Sequence, residues 1–166
     1  MQVVFDLDGV LRDFNTIFHD RFGVPHSNDW NFRYKNKGVY DWVKEDYSIL
    51  VDAEPTPYFQ VIKKWAGNNK IDIWSHQPDD WVPYTEDWLA KYLGGEYTIE
   101  YLTPNEKYSK LLNNPATYLV DDYPLFPDYS RIILVDYEYN QDSKSVIRVQ
   151  TPDQLRLFLG RVHARA

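Results

Sequence analysis

Five short runs rich in β-branched and aromatic residues constrain the fold of this chain more than any other feature. They cover residues 2–5, 71–74, 97–102, 117–120 and 132–135, and three of them stop at a serine or an aspartate. The runs are mainly apolar and do not alternate regularly between apolar and polar residues. That pattern is typical of strands in a parallel sheet that is covered on both faces.

Helical patterns fill the segments between these runs. Residues 57–67 and 85–93 each place apolar side chains on one stripe of a helix. Two further helices are predicted at residues 103–106, TPNE, and 151–154, TPDQ, which combine an N-cap threonine, a proline at the first helical position and a capping partner. The alternation predicts an α/β fold with a doubly wound parallel sheet.

Residues 15–52 carry no strand pattern and interrupt this alternation. Within them, the segment 30–47 holds six aromatic residues: Trp30, Phe32, Tyr34, Tyr40, Trp42 and Tyr47. We expect most of these rings to build the core of a small helical cap and some to stack on a nucleobase. The α/β core then comprises residues 1–14 and 53–166, and the cap, residues 15–52, is inserted after the first strand.

Composition excludes several classes of protein. The 166 residues suffice for one domain with a sizeable core. The absence of cysteine excludes disulfides and thiolate metal sites and fits a cytoplasmic protein. No apolar run approaches the ~20 residues that cross a bilayer. With 18 Lys and Arg against 25 Asp and Glu, the net charge is −7, and we expect neither stable nucleic-acid binding nor membrane binding.

Polar side chains follow three of the predicted strands. Asp6 and Asp8 come after the first, Ser75 after the second, and Asp121 and Asp122 after the run 117–120. Ligands of open α/β sheets bind at the carboxyl ends of the strands, so we expect these side chains to meet. A cluster of carboxylates without cysteine favours a hard divalent cation such as Mg²⁺.

Each of these residues has an ordinary alternative explanation. A lone aspartate at a strand end is usually a helix cap or a turn residue. Their joint occurrence, each after an apolar run, favours a metal site. Lys107, near the start of a predicted helix, offers a compensating positive charge. Lys110, one turn further along, is the alternative, although a solvated helix face suits it better.

The same residues resemble the motifs of the haloacid dehalogenase-like (HAD) phosphatases. Residues 5–11, FDLDGVL, are similar to the first motif, Ser75 to the second, Lys107 to the third and residues 118–122, YLVDD, to the fourth. The chain further resembles the 5′(3′)-deoxyribonucleotidases at Asp13, Phe14, Trp42, Val43, Glu45, Tyr47, residues 53–57, Pro78, residues 88–92, Leu102, Thr103 and Pro124. Arg12 departs from that family, in which a small residue is usual.

The resemblance implies a phosphoryl-transfer mechanism. Asp6 would attack phosphorus, and Asp8 would protonate the leaving oxygen and later deprotonate a water. Mg²⁺ would be bound by Asp6, the carbonyl of Asp8 and Asp122, with Asp121 close by. Ser75 and Lys107 would hold the phosphoryl oxygens. Phe14, Trp42 and Val43 match positions that line the base pocket, and His76 is expected either at the phosphate or the lid or in a local hydrogen bond.

We therefore expect a Mg²⁺-dependent phosphomonoesterase that acts on deoxyribonucleoside monophosphates. The cap charges between residues 26 and 47 balance, so no basic track for a polynucleotide is visible. The alternatives are a HAD phosphatase for polynucleotide 3′ ends or small metabolites, and a nucleotide-binding protein without turnover. The resemblance also suggests a homodimer.

Overall fold

The computed structural model describes residues 1–145 and 147–164. Six parallel strands form one sheet in the order β3-β2-β1-β4-β5-β6. The strands are β1 Gln2–Phe5, β2 Ile71–Ser75, β3 Tyr97–Tyr101, β4 Thr117–Asp121, β5 Ile132–Val135 and β6 Ile147–Val149. The predicted doubly wound α/β fold is confirmed, and all five predicted strands are present. The sixth strand was not predicted.

The described part of the chain has seven α-helices, of which six lie between strands and the seventh follows β6. They are α1 Phe14–Phe22, α2 Val39–Val43, α3 Ile49–Asp52, α4 Phe59–Ala66, α5 Val82–Leu93, α6 Pro104–Asn113 and α7 Pro152–Ala164. Short 3₁₀ helices cover Asp79–Trp81 and Glu138–Asn140. In the described residues, no helix is both long enough and apolar enough to cross a membrane.

Helices on both faces of the sheet explain the apolar runs. Val3 and Phe5 of β1 belong to a core cluster that includes residues of α4, α5 and α7, whereas Val4 packs in a second cluster with Leu111 of α6. Neighbouring side chains of one strand point to opposite faces. Because both faces are covered, both sets must be apolar.

The capping signals locate α6 correctly. The Thr103 hydroxyl oxygen accepts a hydrogen bond from the backbone N–H of Glu106, 3.3 Å away, and the Glu106 carboxylate accepts one from the backbone N–H of Thr103 at 2.7 Å. This reciprocal pair fixes the first turn of the helix. It thereby helps to position Lys107, one residue further on, beside the carboxyl ends of the strands.

Residues 15–52 lie between β1 and α4 and carry most of α1 together with α2 and α3. Their apolar side chains form a cluster distinct from the two that cover the sheet. Its buried members are Phe14, Phe18, Val24, Trp42, Val43, Ile49, Leu50 and Trp81. Trp81 lies in the 3₁₀ helix between β2 and α5, so this cluster also packs residues 15–52 against the part of the chain that carries the sheet.

Candidate active site

The carboxyl ends of β1 and β4, which are neighbours in the sheet, bring three aspartates together. Asp6 directly follows β1, and Asp121 and Asp122 lie at the end of β4, where Phe5 pairs in register with Val120. One carboxylate oxygen from each aspartate lies within 4.8 Å of the other two. Asp121 and Asp122 are buried, and the side chain of Asp6 is 11% exposed. The chain thus holds a compact group of oxygen ligands.

Lys107 bridges two of these carboxylates. Its Nζ donates to Oδ1 of Asp6 and to Oδ2 of Asp121, each at 2.8 Å. Burial alone would lower the pKa of the Lys107 ammonium, but Asp121 and Asp6 outweigh it and hold the pKa above its ordinary value. Lys110 lies on the exposed side of α6 and pairs with Glu100. Of the two candidate lysines, the structure brings Lys107 to the carboxylates.

The electrostatics of the cluster favour a bound cation. Burial, followed by repulsion from Asp121, raises the pKa of Asp6 from 3.8 to about 7. Burial and the charges of Asp6 and Asp121 likewise raise the pKa of Asp122 well above its usual value. One ammonium cannot neutralise three carboxylates, and a divalent cation can supply the missing charge. Carboxylate oxygens fit a hard ion such as Mg²⁺.

Gly9 makes room for this arrangement. Its φ is +85°, and a Cβ atom at this position would lie 2.2 Å from Oδ2 of Asp122. Any other residue would both strain the backbone and collide with the carboxylate. The Gly9 carbonyl accepts a hydrogen bond from the hydroxyl of Tyr137 at 2.7 Å, which fixes the turn after β1.

Asp8 is held by an arginine to which the sequence analysis gave no role. Arg12 donates from Nε to Oδ1 of Asp8 at 2.7 Å and from Nη2 to Oδ2 at 3.0 Å. Arg12 is fully buried, whereas the Asp8 side chain is 22% exposed and lines a cavity. In the sequence, Arg12 stands out because the 5′(3′)-deoxyribonucleotidases usually have a small residue at this position. That difference did not indicate that Asp8 is the partner of Arg12.

Asp122 also has partners that the sequence analysis missed. The hydroxyl of Tyr139 donates to Oδ2 of Asp122 and accepts from the Asn15 side chain at 3.1 Å. Asn140 donates from Nδ2 to the backbone carbonyl of Asp122 at 3.0 Å. The 3₁₀ helix after β5 therefore orients Asp122. No sequence motif marks these residues, and only the strand order brings them next to β4.

Ser75 and His76 end β2 in different environments. Ser75 is 1% exposed, and its hydroxyl has no hydrogen-bond partner among the described residues. An unpaired buried hydroxyl is unusual and fits a group that awaits a ligand oxygen. The exposed His76 lines the cavity, and partial burial, with a smaller contribution from Lys107, lowers its pKa.

A cavity of about 1490 Å³ lies between residues 15–52 and the sheet edge, with Asp6, Asp8 and Lys107 on its wall. Its wall carries many rings: Phe14, Trp30, Phe32, Tyr40, Tyr58, Trp81, Tyr123, Tyr137 and Tyr139. Of the three residues predicted to line a base pocket, only Phe14 is among those on this wall. Trp42 and Val43 are buried in the apolar cluster of the inserted segment, with Trp42 packed near Phe22 and Tyr34.

Comparison with known proteins supports the fold. No protein-family model and no curated protein sequence matches the chain. A protein from Thermotoga maritima with a provisional assignment as a β-phosphoglucomutase superposes with a TM-score of 0.60 at 15% identity, covering 98% of this chain and 100% of that one. A haloacid dehalogenase-like family hydrolase from Xanthomonas campestris gives a TM-score of 0.55 at 12% identity, covering 99% and 97%. The chain therefore has the fold of HAD-like hydrolases.

Proposed function

We propose that this protein is a Mg²⁺-dependent phosphomonoesterase that hydrolyses deoxyribonucleoside monophosphates. The observation that carries the proposal is the cluster of Asp6, Asp121 and Asp122, bridged by Lys107, at one end of a cavity rich in aromatic rings. The shared fold and the motif resemblance support the same reaction class. The finer assignment to a nucleotidase rests on the resemblance and on the cavity.

Asp6 is the proposed nucleophile. Lys107 occupies its Oδ1, while Oδ2 receives no hydrogen bond from the described residues and is free to attack phosphorus. The ester oxygen leaves with a proton from Asp8, and a water that Asp8 deprotonates then hydrolyses the aspartyl-phosphate. Lys107 and the Ser75 hydroxyl hold phosphoryl oxygens on which negative charge develops.

The proposed ligands of the metal are Asp6, Asp122 and the carbonyl of Asp8, together with the nearby Asp121. Mg²⁺ at this position would neutralise the phosphate and orient it for attack. The raised pKa values of Asp6 and Asp122 support this assignment, because they show how poorly the cluster tolerates its charge without a cation.

The charge of the cavity wall favours a small substrate. Among its described residues, nine carboxylates stand against two cations, Arg33 and Lys107. A polynucleotide would place further phosphates against this wall and be repelled. The cavity exceeds the roughly 300–1,000 Å³ of common ligand sites, which leaves space for a mononucleotide with its base against the aromatic rings.

A phosphate-release assay across deoxyribonucleoside monophosphates, ribonucleotides, sugar phosphates and a 3′-phosphorylated oligonucleotide, with Mg²⁺ present, tests the proposal. We expect the deoxyribonucleotides to give the highest kcat/KM. Asp6→Asn should abolish release of phosphate without loss of the fold, which circular dichroism would check. A sugar phosphate or an oligonucleotide as the best substrate would refute the nucleotidase assignment, and turnover by Asp6→Asn near wild type would refute the nucleophile.

A further inference from the structure

We propose that Arg12 is a positioning residue that orients Asp8 for proton transfer, an inference that rests on the proposed function. Arg12 makes no hydrogen bond to Asp6, Asp121, Asp122 or Lys107, and it is not itself among the described residues that line the cavity. It acts through the side chain of Asp8, which faces the cavity.

The guanidinium of Arg12 is almost fully used. Nε and Nη2 donate to the two oxygens of Asp8, and Nη1 donates to the carbonyl of Leu50 at 2.9 Å and to Oγ1 of Thr85 at 3.2 Å. Four of the five N–H groups of an arginine thus have partners. Thr85 in turn donates to Oε1 of Gln77 at 2.8 Å. The side chain therefore has very little freedom.

Arg12 is fully buried, so its charge is costly to remove from water, and its pairing with Asp8 is not an ordinary surface ion pair. Its contacts come from three places: Asp8 after β1, Leu50 on α3 and Thr85 on α5. The planar guanidinium group of Arg12 donates two parallel hydrogen bonds to the carboxylate and so fixes the plane of the Asp8 side chain. A lysine could supply the charge but not the two parallel hydrogen bonds.

Arg12 leaves acceptor positions free on Asp8. A carboxylate has about four acceptor positions, and Arg12 occupies one on each oxygen. Asp8 lies on the cavity wall, where under the proposed function it gives a proton to the leaving oxygen. When the Asp6 oxygen–phosphorus bond forms and the ester bond breaks, that proton moves to the departing alkoxide. Arg12 holds the Asp8 side chain in one plane throughout this transfer.

The test compares two substrates that differ in their need for a proton. The alcohol of a deoxyribonucleoside monophosphate is a poor leaving group, whereas 4-nitrophenolate departs without protonation. In Arg12→Met, we expect kcat/KM for the nucleotide to fall about 10²- to 10⁴-fold, the range of a positioned general acid, and kcat/KM for 4-nitrophenyl phosphate to fall less than tenfold. This parameter covers the steps up to alcohol release, so slow hydrolysis of the aspartyl-phosphate does not mask the difference.

Arg12→Lys keeps a positive charge and guards against misfolding of the methionine variant. It should show a smaller difference between the two substrates, in the same direction. Arg131→Met is the matched control, because Arg131 donates to the carbonyls of Leu111, Asn114 and Thr117 at the opposite end of β4. It should lose stability and leave the ratio of the two kcat/KM values unchanged.

The outcomes separate the two proposals. Equal losses on both substrates in Arg12→Met and Arg12→Lys, with an active wild type, would overturn the positioning role and leave the proposed function standing. A wild-type protein that hydrolyses neither ester in Mg²⁺ would overturn the proposed function and this inference with it. A selective loss on the nucleotide supports the inference.

Discussion

Replacing Lys107 with methionine removes the ammonium that bridges Asp6 and Asp121 while keeping most of the side-chain volume. Both hydrogen bonds are 2.8 Å long, and the side chains of Lys107 and Asp121 are 3% and 1% exposed. Removing one partner of a buried ion pair costs about 3–5 kcal/mol. At roughly 2–4 °C per kcal/mol for a domain of this size, the melting temperature should fall by about 6–20 °C.

Thermal unfolding followed by circular dichroism, in EDTA and in excess Mg²⁺, measures this loss. Without Lys107, the carboxylates carry more uncompensated charge, so a cation bound only by the folded state should stabilise the variant more than the wild type. Lys110→Met is the matched control. Lys110 pairs with Glu100 at the surface, where such pairs contribute about 0–1 kcal/mol, so its melting temperature should barely change.

Activity provides the second measurement. Lys107→Met should lower kcat by roughly 10²- to 10³-fold, the usual cost of losing one donor that stabilises developing oxyanion charge. Lys110→Met should stay close to wild type. A melting temperature for Lys107→Met within about 2 °C of wild type in EDTA would refute the electrostatic account of the cluster. Full activity of that variant would refute its catalytic role.

Three further predictions concern single positions. Gly9→Ala places a Cβ atom 2.2 Å from Oδ2 of Asp122 at a φ of +85°, so urea unfolding should show a loss of about 2–5 kcal/mol from backbone strain and overpacking; unchanged stability would contradict that geometry. Because the folded-state pKa of Asp6 is raised from 3.8 to about 7, its protonation stabilises the metal-free protein most below pH 3.8, and the melting temperature should fall as pH rises toward 7. Mg²⁺ should flatten that slope, and a metal-free slope of opposite sign would contradict the burial argument. Trp42→Ala should lower the free energy of unfolding by about 3–5 kcal/mol, because it leaves a cavity in its apolar cluster. Phe14→Ala should instead raise KM for nucleotides more than for 4-nitrophenyl phosphate. If Trp42→Ala had this effect on KM and Phe14→Ala did not, the Trp42 ring would lie at the base.

The strands and the carboxylate cluster were accessible from the sequence because they depend on local signals. A mainly apolar run and the aspartate after it are visible in consecutive residues, and parallel strands bring such residues to one edge. β6 was missed because it has only three residues with Arg148 at its centre. The Arg148 side chain turns to Asp136 and to the carbonyl of Asn140, a set of contacts that no strand pattern contains.

The partners of the site residues required the folded chain. Arg12 and Asp8 are four residues apart, but their pairing depends on the turn at Gly9 and on acceptors from α3 and α5. Tyr139 reaches Asp122 only because β5 lies next to β4. The sequence likewise shows that residues 15–52 are rich in aromatic side chains, but it does not show which of them face the cavity. Tyr40 lines the cavity and Trp42, two residues further along α2, does not, since helix rotation and packing decide this.

Under the proposed function, the acidic wall of the cavity would also govern how a product departs. Orthophosphate freed beside Lys107 would be an anion facing a wall with nine carboxylates, three of them in the proposed metal site, and one further cation among the described residues. Repulsion from the carboxylates outside the metal site would hasten its escape and weaken product inhibition, while the same field would slow the arrival of an anionic substrate. Added salt shortens the reach of both effects to about 10 Å at 0.1 M. Ionic strength should therefore speed capture at low substrate concentration and retard release near saturation.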